Sequence, residues 1–210
     1  SAVTLTRSAA VWLTGVLLLA GFGLSFWLLP HAFVVWLCVY VAASATYSLV
    51  VKRFVIVDVL LLAGMYSLRL AAGGAAVDVT VSPWLLGFSL FLFVSLAFLK
   101  RYTELSDTVE REGRYIAGRG YHVGDAQLIL IAGVSLGFLA VFVFVLYLNS
   151  VEVQMLYTRP AILWFISPLL LYWVARMWLK AHRGVMHEDA ILFALRDPAS
   201  YGVAFHLVLI

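Results

Sequence analysis

Apolar stretches of about 20 residues recur along the whole chain, each long enough to cross a hydrocarbon core of roughly 30 Å as a helix. No other feature narrows the fold as far. Inside a bilayer every backbone N–H and C=O must find its partner within the protein, so only helices and closed barrels span it. The runs here show no strand-like alternation, which leaves helices. With 64% hydrophobic and 12% charged residues, the chain could not cover a water-soluble domain of its size. An all-α, polytopic membrane helix bundle follows. Cys38, the single cysteine, lies in an apolar run and has no intrachain partner for a disulfide.

Seven spans are expected. They run about Ala9–Leu29, Ala32–Val51, Phe54 to Gly73-Gly74, Trp84–Leu99, Ala126–Leu148 with Asp125 as N-cap, Ala161–Leu179, and Ala199–Ile210. Loop charges orient them. One side collects Arg7, Lys52, Arg53, Lys100, Arg101, Arg111, Arg114, Arg119, Lys180, Arg183 and Arg196, while the other has Arg159 and little else. The positive-inside rule puts the first side in the cytoplasm. Gly and Pro gather at span ends, Pro168 excepted, and no internal repeat is evident, so the broken-helix pattern of a transporter is missing.

Polar chemistry collects where the fourth span ends. Phe98-Leu99-Lys100-Arg101-Tyr102-Thr103-Glu104-Leu105-Ser106-Asp107 opens a charged segment that reads as a loop running on to Gly118-Arg119-Gly120-Tyr121. Lys100 and Arg101 can neutralise phosphate, Arg through a bidentate fork and Lys as a point charge. Anchoring a helix end is their other reading. Arg119 sits between glycines that could close over a phosphate. Lys52, with Tyr47 and Ser48 close by on the same helix end, could grip a diphosphate or simply anchor the helix. Asp58 lies just inside the third span, where a carboxylate is a functional candidate unless a basic side chain from another helix satisfies it. Arg69, eleven residues on and on nearly the same face, is placed nearer the outer end, with a structural or snorkelling role. His182, His187, Glu188 and Asp189 match no standard zinc spacing.

These pieces together resemble the UbiA family of prenyltransferases. The likeness is carried by Tyr47-Ser48 with Lys52-Arg53, Asp58, Ser67-Leu68-Arg69-Leu70-Ala71-Ala72-Gly73, Ser82-Pro83-Trp84 and Lys100-Arg101-Tyr102-Thr103-Glu104-Leu105. It is nearest the branch with decaprenyl-phosphate phosphoribosyltransferase. Ala181-His182-Arg183-Gly184, Met186-His187-Glu188-Asp189 and Phe193-Ala194-Leu195 are similar to bacterial UbiA domains fused to a haloacid-dehalogenase-type domain.

The resemblance implies a nine-helix fold, of which residues 1–210 would be helices 3–9, lacking the N-terminal two. It implies a Mg²⁺ site on an Asn-Asp-x-x-Asp-type motif, which does not occur here and is expected ahead of Ser1. Catalysis would then need that segment. The second family motif, commonly rich in aspartate, is replaced here by Lys100-Arg101 with Glu104 and Asp107 behind. Those two acids and Asp58 are the candidate second-motif or metal carboxylates. Lys52, Lys100, Arg101, Arg119 and Tyr47 are the candidate phosphate contacts.

The expected reaction is phosphoribosyl transfer from a phosphoribosyl diphosphate to a polyprenyl phosphate in the bacterial inner membrane, with the site loops cytoplasmic. The alternatives are prenylation of an aromatic or other small acceptor by a polyprenyl diphosphate, and a non-catalytic bundle or transporter. Expected partners are the polyprenyl lipid, the phosphorylated donor and the membrane, with no nucleic acid and a homo-oligomer possible.

Overall fold

In the computed structural model, residues 7–110, 114–116, 118–157 and 160–186 are described. The helices are α1 (Arg7–Leu28), α2 (His31–Leu49), α3 (Val57–Ala76), α4 (Pro83–Glu110), α5 (Ala126–Leu148), the short α6 (Val151–Leu156) and α7 (Ile166–His182). No strand occurs among the described residues. Five helical segments are long and apolar enough to cross a membrane: α2, α3, most of α4, α5 with its preceding turn, and Ala161–His182. α1 adds a shorter apolar stretch, Trp12–Leu28. The seventh expected span, Ala199–Ile210, lies outside the described residues, as do His187, Glu188 and Asp189.

Three elements depart from the sequence expectation. α4 does not stop at Leu99; it continues to Glu110, so Lys100, Arg101, Glu104 and Asp107 stand on a helix and not in a loop. Polarity marks where the membrane ends, whereas a helix ends at a breaker, and no Gly or Pro occurs between Gly87 and Gly113. The 28 residues of α4 reach about 42 Å, well beyond the hydrocarbon core. Asp125 stands at the N-cap position of α5 as expected, but its side chain makes no capping bond there. Its carboxylate accepts the His122 N–H at 2.9 Å, while Gly124 N–H donates to His122 Nδ1 at 2.9 Å. The cap thus serves the turn Val123–Asp125, one turn early. Pro168 falls in the first turn of α7, where its missing N–H leaves no bond unmade.

α2 and α3 pair as antiparallel neighbours, α3 packs on α4, and α4 meets α5 most extensively, with α7 against α5 and α4. Leu99, Phe98, Val94, Ala97, Ile129, Val174, Met177 and Trp178 form the core of this joint. Between lipid-facing helices no hydrophobic gain drives association, so close packing and interhelical hydrogen bonds must hold them. Gly133 and Gly137, one turn apart on α5, provide the approach. A Cβ at Gly133 would overlap the Trp178 ring, and one at Gly137 would lie 2.6 Å from Val174. Trp178 Nε1 donates to Ser95 Oγ at 3.1 Å, and Ser95 Oγ donates to the Gly133 carbonyl at 2.7 Å.

Helix alternation puts the α2–α3 turn, the α4–α5 connection and the end of α7 at one end of the bundle. The charge rule predicts a cytoplasmic position for this end. In a Cys38→Ser background, Val185→Cys should resist a membrane-impermeant thiol reagent applied to intact cells, and Met155→Cys should react. Both positions are exposed. The reverse pattern would invert the assignment.

Candidate active site

At that end, six side chains from four elements converge. α2 brings Tyr47, α3 brings Asp58 in its first turn, α4 brings Arg101 and Glu104, and the connection before α5 brings Arg119 and Tyr121. The connection is shaped for this. Tyr115 and His122 form an antiparallel bridge. Ile116 N–H donates to the Tyr121 carbonyl at 3.1 Å, and Val123 N–H to the Arg114 carbonyl at 2.9 Å. Gly118 supplies the left-handed backbone (φ +74°) that turns the hairpin. Gly120 lies against the α2–α3 turn so closely that a Cβ would come within 2.9 Å of the Arg53 carbonyl.

Arg101 is fully buried and fixed on three sides. Nε donates to Asp58 Oδ2 at 2.8 Å, Nη1 to Glu104 Oε2, and Nη2 to Tyr47 Oη at 3.1 Å. Asp58, also fully buried, accepts the Tyr121 hydroxyl on Oδ1 at 2.6 Å. Arg119 is held more loosely and is 20% exposed. Its Nη1 donates to Tyr47 Oη at 3.2 Å and Asp58 Oδ2 at 3.4 Å, with Nε 3.4 Å from Glu104 Oε2. Two guanidiniums and two carboxylates cancel. Such a cluster tolerates burial because every charge is paired.

Tyr121 also accepts the Ile56 N–H at 2.8 Å. Ile56 has φ +69°, and Val57 N–H donates across it to the Val55 carbonyl at 2.8 Å. That is a tight turn of the strained, positive-φ kind at a β-branched residue. It aims α3 so that Asp58 enters the cluster, and the tyrosine stabilises it. Burial first, then the hydrogen bond to Asp58, raises the Tyr121 pKa above its ordinary value of 10, so the phenol stays a donor.

The sequence candidates are thus divided. Tyr47, Asp58, Arg101, Glu104 and Arg119 come together. Lys52 is exposed on the adjoining turn Val51–Arg53, Lys100 is half-buried beside Arg101, and Asp107 is half-buried without a bond to the cluster. Sequence reasoning does not single out Tyr121 or Ile56. A tyrosine after Gly-Arg-Gly carries little signal, and backbone strain carries none. His182 is engaged structurally, its Nδ1 within 3.0 Å of Tyr102 Oη across α4 and α7.

Asp58 and Glu104 are poorly placed to hold magnesium. Mg²⁺ takes carboxylate oxygens with little competition. Both Asp58 oxygens are engaged, and Glu104 Oε2 faces two guanidiniums. Among the described residues no group of three His, Cys, Asp or Glu side chains could hold a metal.

No family model matches the chain. It is 36% identical over 188 residues to an uncharacterised protein, y4nM, of Sinorhizobium fredii, covering 89% of this chain and 36% of that protein. It is 32% identical over 176 residues to the nodulation protein NoeC of Azorhizobium caulinodans, covering 80% of this chain and 56% of that one. It is 33% identical over 104 residues to decaprenyl-phosphate phosphoribosyltransferase of Mycolicibacterium smegmatis, covering 50% of this chain and 32% of that enzyme. Over half its length, the chain is similar to a transferase. It spans between about a third and just over half of these relatives' own lengths.

Proposed function

We propose that the chain is the membrane-embedded part of a UbiA-type transferase that moves a phosphoribosyl group from a phosphoribosyl diphosphate to a polyprenyl phosphate. The observation that carries this reading is Arg119, a part-exposed guanidinium loosely held beside the locked Arg101 at one end of an apolar bundle. Partial similarity to decaprenyl-phosphate phosphoribosyltransferase supports the same chemistry.

In this reaction a lipid phosphate oxygen attacks the anomeric carbon. The bond from that carbon to the diphosphate oxygen breaks, and the electron pair leaves with the diphosphate. Negative charge grows on the leaving oxygens, and a cation placed there in advance lowers the barrier. Arg101 has little freedom to supply it, since Asp58, Glu104 and Tyr47 use its donors. Its part is to fix Glu104 and Asp58. These in turn keep Arg119 within reach of the mouth, where exposed Lys52 adds positive charge. Magnesium, as the diphosphate's companion, would have to be held by carboxylates other than Asp58 and Glu104.

Arg119→Gln in the full-length protein should lower kcat/KM for phosphoribosyl diphosphate about tenfold or more, the size of one charge-assisted contact. Arg119→Lys should recover part of it. An unchanged kcat/KM in both variants would remove Arg119 from the donor site. Turnover of a polyprenyl diphosphate with an aromatic acceptor, and none with the phosphoribosyl donor, would favour prenylation instead.

A further inference from the structure

At the end of the bundle away from the cluster, the connection between α3 and α4 folds back onto the last turn of α3. Val77 N–H and Val79 N–H both donate to the Gly74 carbonyl, at 3.2 and 2.9 Å. A Cβ on Gly74 would come within 2.5 Å of the Val81 side chain and 2.7 Å of the Val79 carbonyl, so glycine lets the chain lie this close. Between the two valines Asp78 takes φ +55°, a left-handed conformation that aspartate tolerates better than most residues. The result is a fixed wall. It closes one side of a mostly apolar cleft of about 440 Å³, lined also by Trp36 of α2, Ala71 and Ala75 of α3, Thr80, and Leu86 of α4.

Depth and charge decide what such a cleft can take. α3 has 20 residues, about 30 Å, which matches the hydrocarbon thickness, so Asp78, two residues past its end, reaches headgroup level. Val77 and Val79 on either side of it are exposed, which suits a loop tip resting in the membrane surface and not in bulk water. Asp78 is the one charged side chain among the described residues that line the cleft. No basic side chain pairs with it among the described residues. α2, the connection and the first two turns of α4 contain no Lys or Arg, and His31 at the start of α2 turns its ring to Phe26. The cleft therefore offers a carboxylate, an indole and a hydroxyl above an apolar wall.

We propose that this cleft is a binding site for a membrane lipid with a primary ammonium headgroup. Asp78 accepts hydrogen bonds from the ammonium, and the Trp36 ring adds an electron-rich surface that attracts a cation. The Thr80 hydroxyl can donate to the adjoining phosphate. The alanines and Leu86 take the upper part of an acyl chain. A primary ammonium suits the site better than a quaternary one, because it can donate to the carboxylate, whereas a quaternary group needs a cage of several rings. The lipid is favoured over a free amine on physical grounds. An exposed carboxylate holds a soluble cation weakly, but a lipid brings its ammonium to headgroup depth with the chain already in hydrocarbon. The site lies at the opposite end of the bundle from the cluster and does not depend on the reaction proposed there.

The test is native mass spectrometry of the full-length protein, titrated in detergent with phosphatidylethanolamine or with phosphatidylcholine of the same acyl chains. The wild type should bind the first phosphatidylethanolamine about tenfold more tightly than the first phosphatidylcholine, the size of one charge-assisted contact. Asp78→Asn keeps the side-chain size and tolerates the same backbone, so it should fold and bring that preference to within about twofold. Trp36→Leu should cost about threefold in phosphatidylethanolamine affinity. Millimolar ethanolamine should not displace the bound lipid. Equal affinities for the two lipids in the wild type, or a full preference retained in Asp78→Asn, overturns the proposal. Displacement by ethanolamine would show a site for a free amine and overturn the assignment to a lipid.

Discussion

Arg101→Met should cost about 3–5 kcal/mol of stability, because it takes the main cation from an Asp58 carboxylate that is fully buried. In a chain of this size that lowers the thermal midpoint in detergent by on the order of 10 °C. Arg119, already 3.4 Å from Asp58, can draw closer and hold the loss toward the lower figure. The companion variant is the double one, Asp58→Leu with Arg101→Met. Removing both charges should recover part of the loss, since a buried pair contributes far less net than either half left alone costs. A fully stable Arg101→Met protein would mean that Arg101 is a free phosphate ligand and not the centre of the cluster. Activity alone would not separate these roles, because both lower it.

Gly133→Ala should be the most damaging of the glycine substitutions. The added methyl falls on the Trp178 ring, which is buried, and Phe98 Cβ stands 3.0 Å away on the other side. Trp178 has little room to shift while its indole N–H is bonded to Ser95. Overpacking of this kind costs about 1–3 kcal/mol, more than the gain of roughly 1 kcal/mol from replacing a helical glycine. Trp178→Phe in combination should relieve the clash, though it gives up the Ser95 bond. Gly64→Ala on α3, with nothing within 4 Å, is the control and should be neutral or slightly stabilising. Equal stability of Gly133→Ala and Gly64→Ala would show that α5 does not sit this close to α7.

Much of the bundle is legible in the sequence because the membrane imposes it. Span length and backbone satisfaction give α2, α3, α5 and the start of α4 at Pro83 within a few residues. The end of α4 is not legible in the same way. Lys100 and Arg101 announce water, and the helix runs on through them because its later residues still bury Tyr102 and Leu105. The cluster is half legible. A carboxylate inside a span requires a cation from somewhere, and Asp58 carries that requirement on its face. Which cation answers is set by helix packing, since Arg101 is 43 residues away in the chain. Arg69 shows the converse. Helical periodicity places it on the face of Asp58, but contacts with the Tyr40 and Tyr66 rings decide where its charge is held.

The most direct measurement of the central claim is the mass of the lipid formed. Membranes containing the full-length protein would be given isotopically labelled phosphoribosyl diphosphate and a polyprenyl phosphate, then extracted and analysed by mass spectrometry. The account predicts a lipid heavier by one labelled phosphoribosyl group, diphosphate released in equal amount, and loss of most of both in Arg119→Ala. No labelled lipid from the wild type, or wild-type amounts from Arg119→Ala, would contradict it.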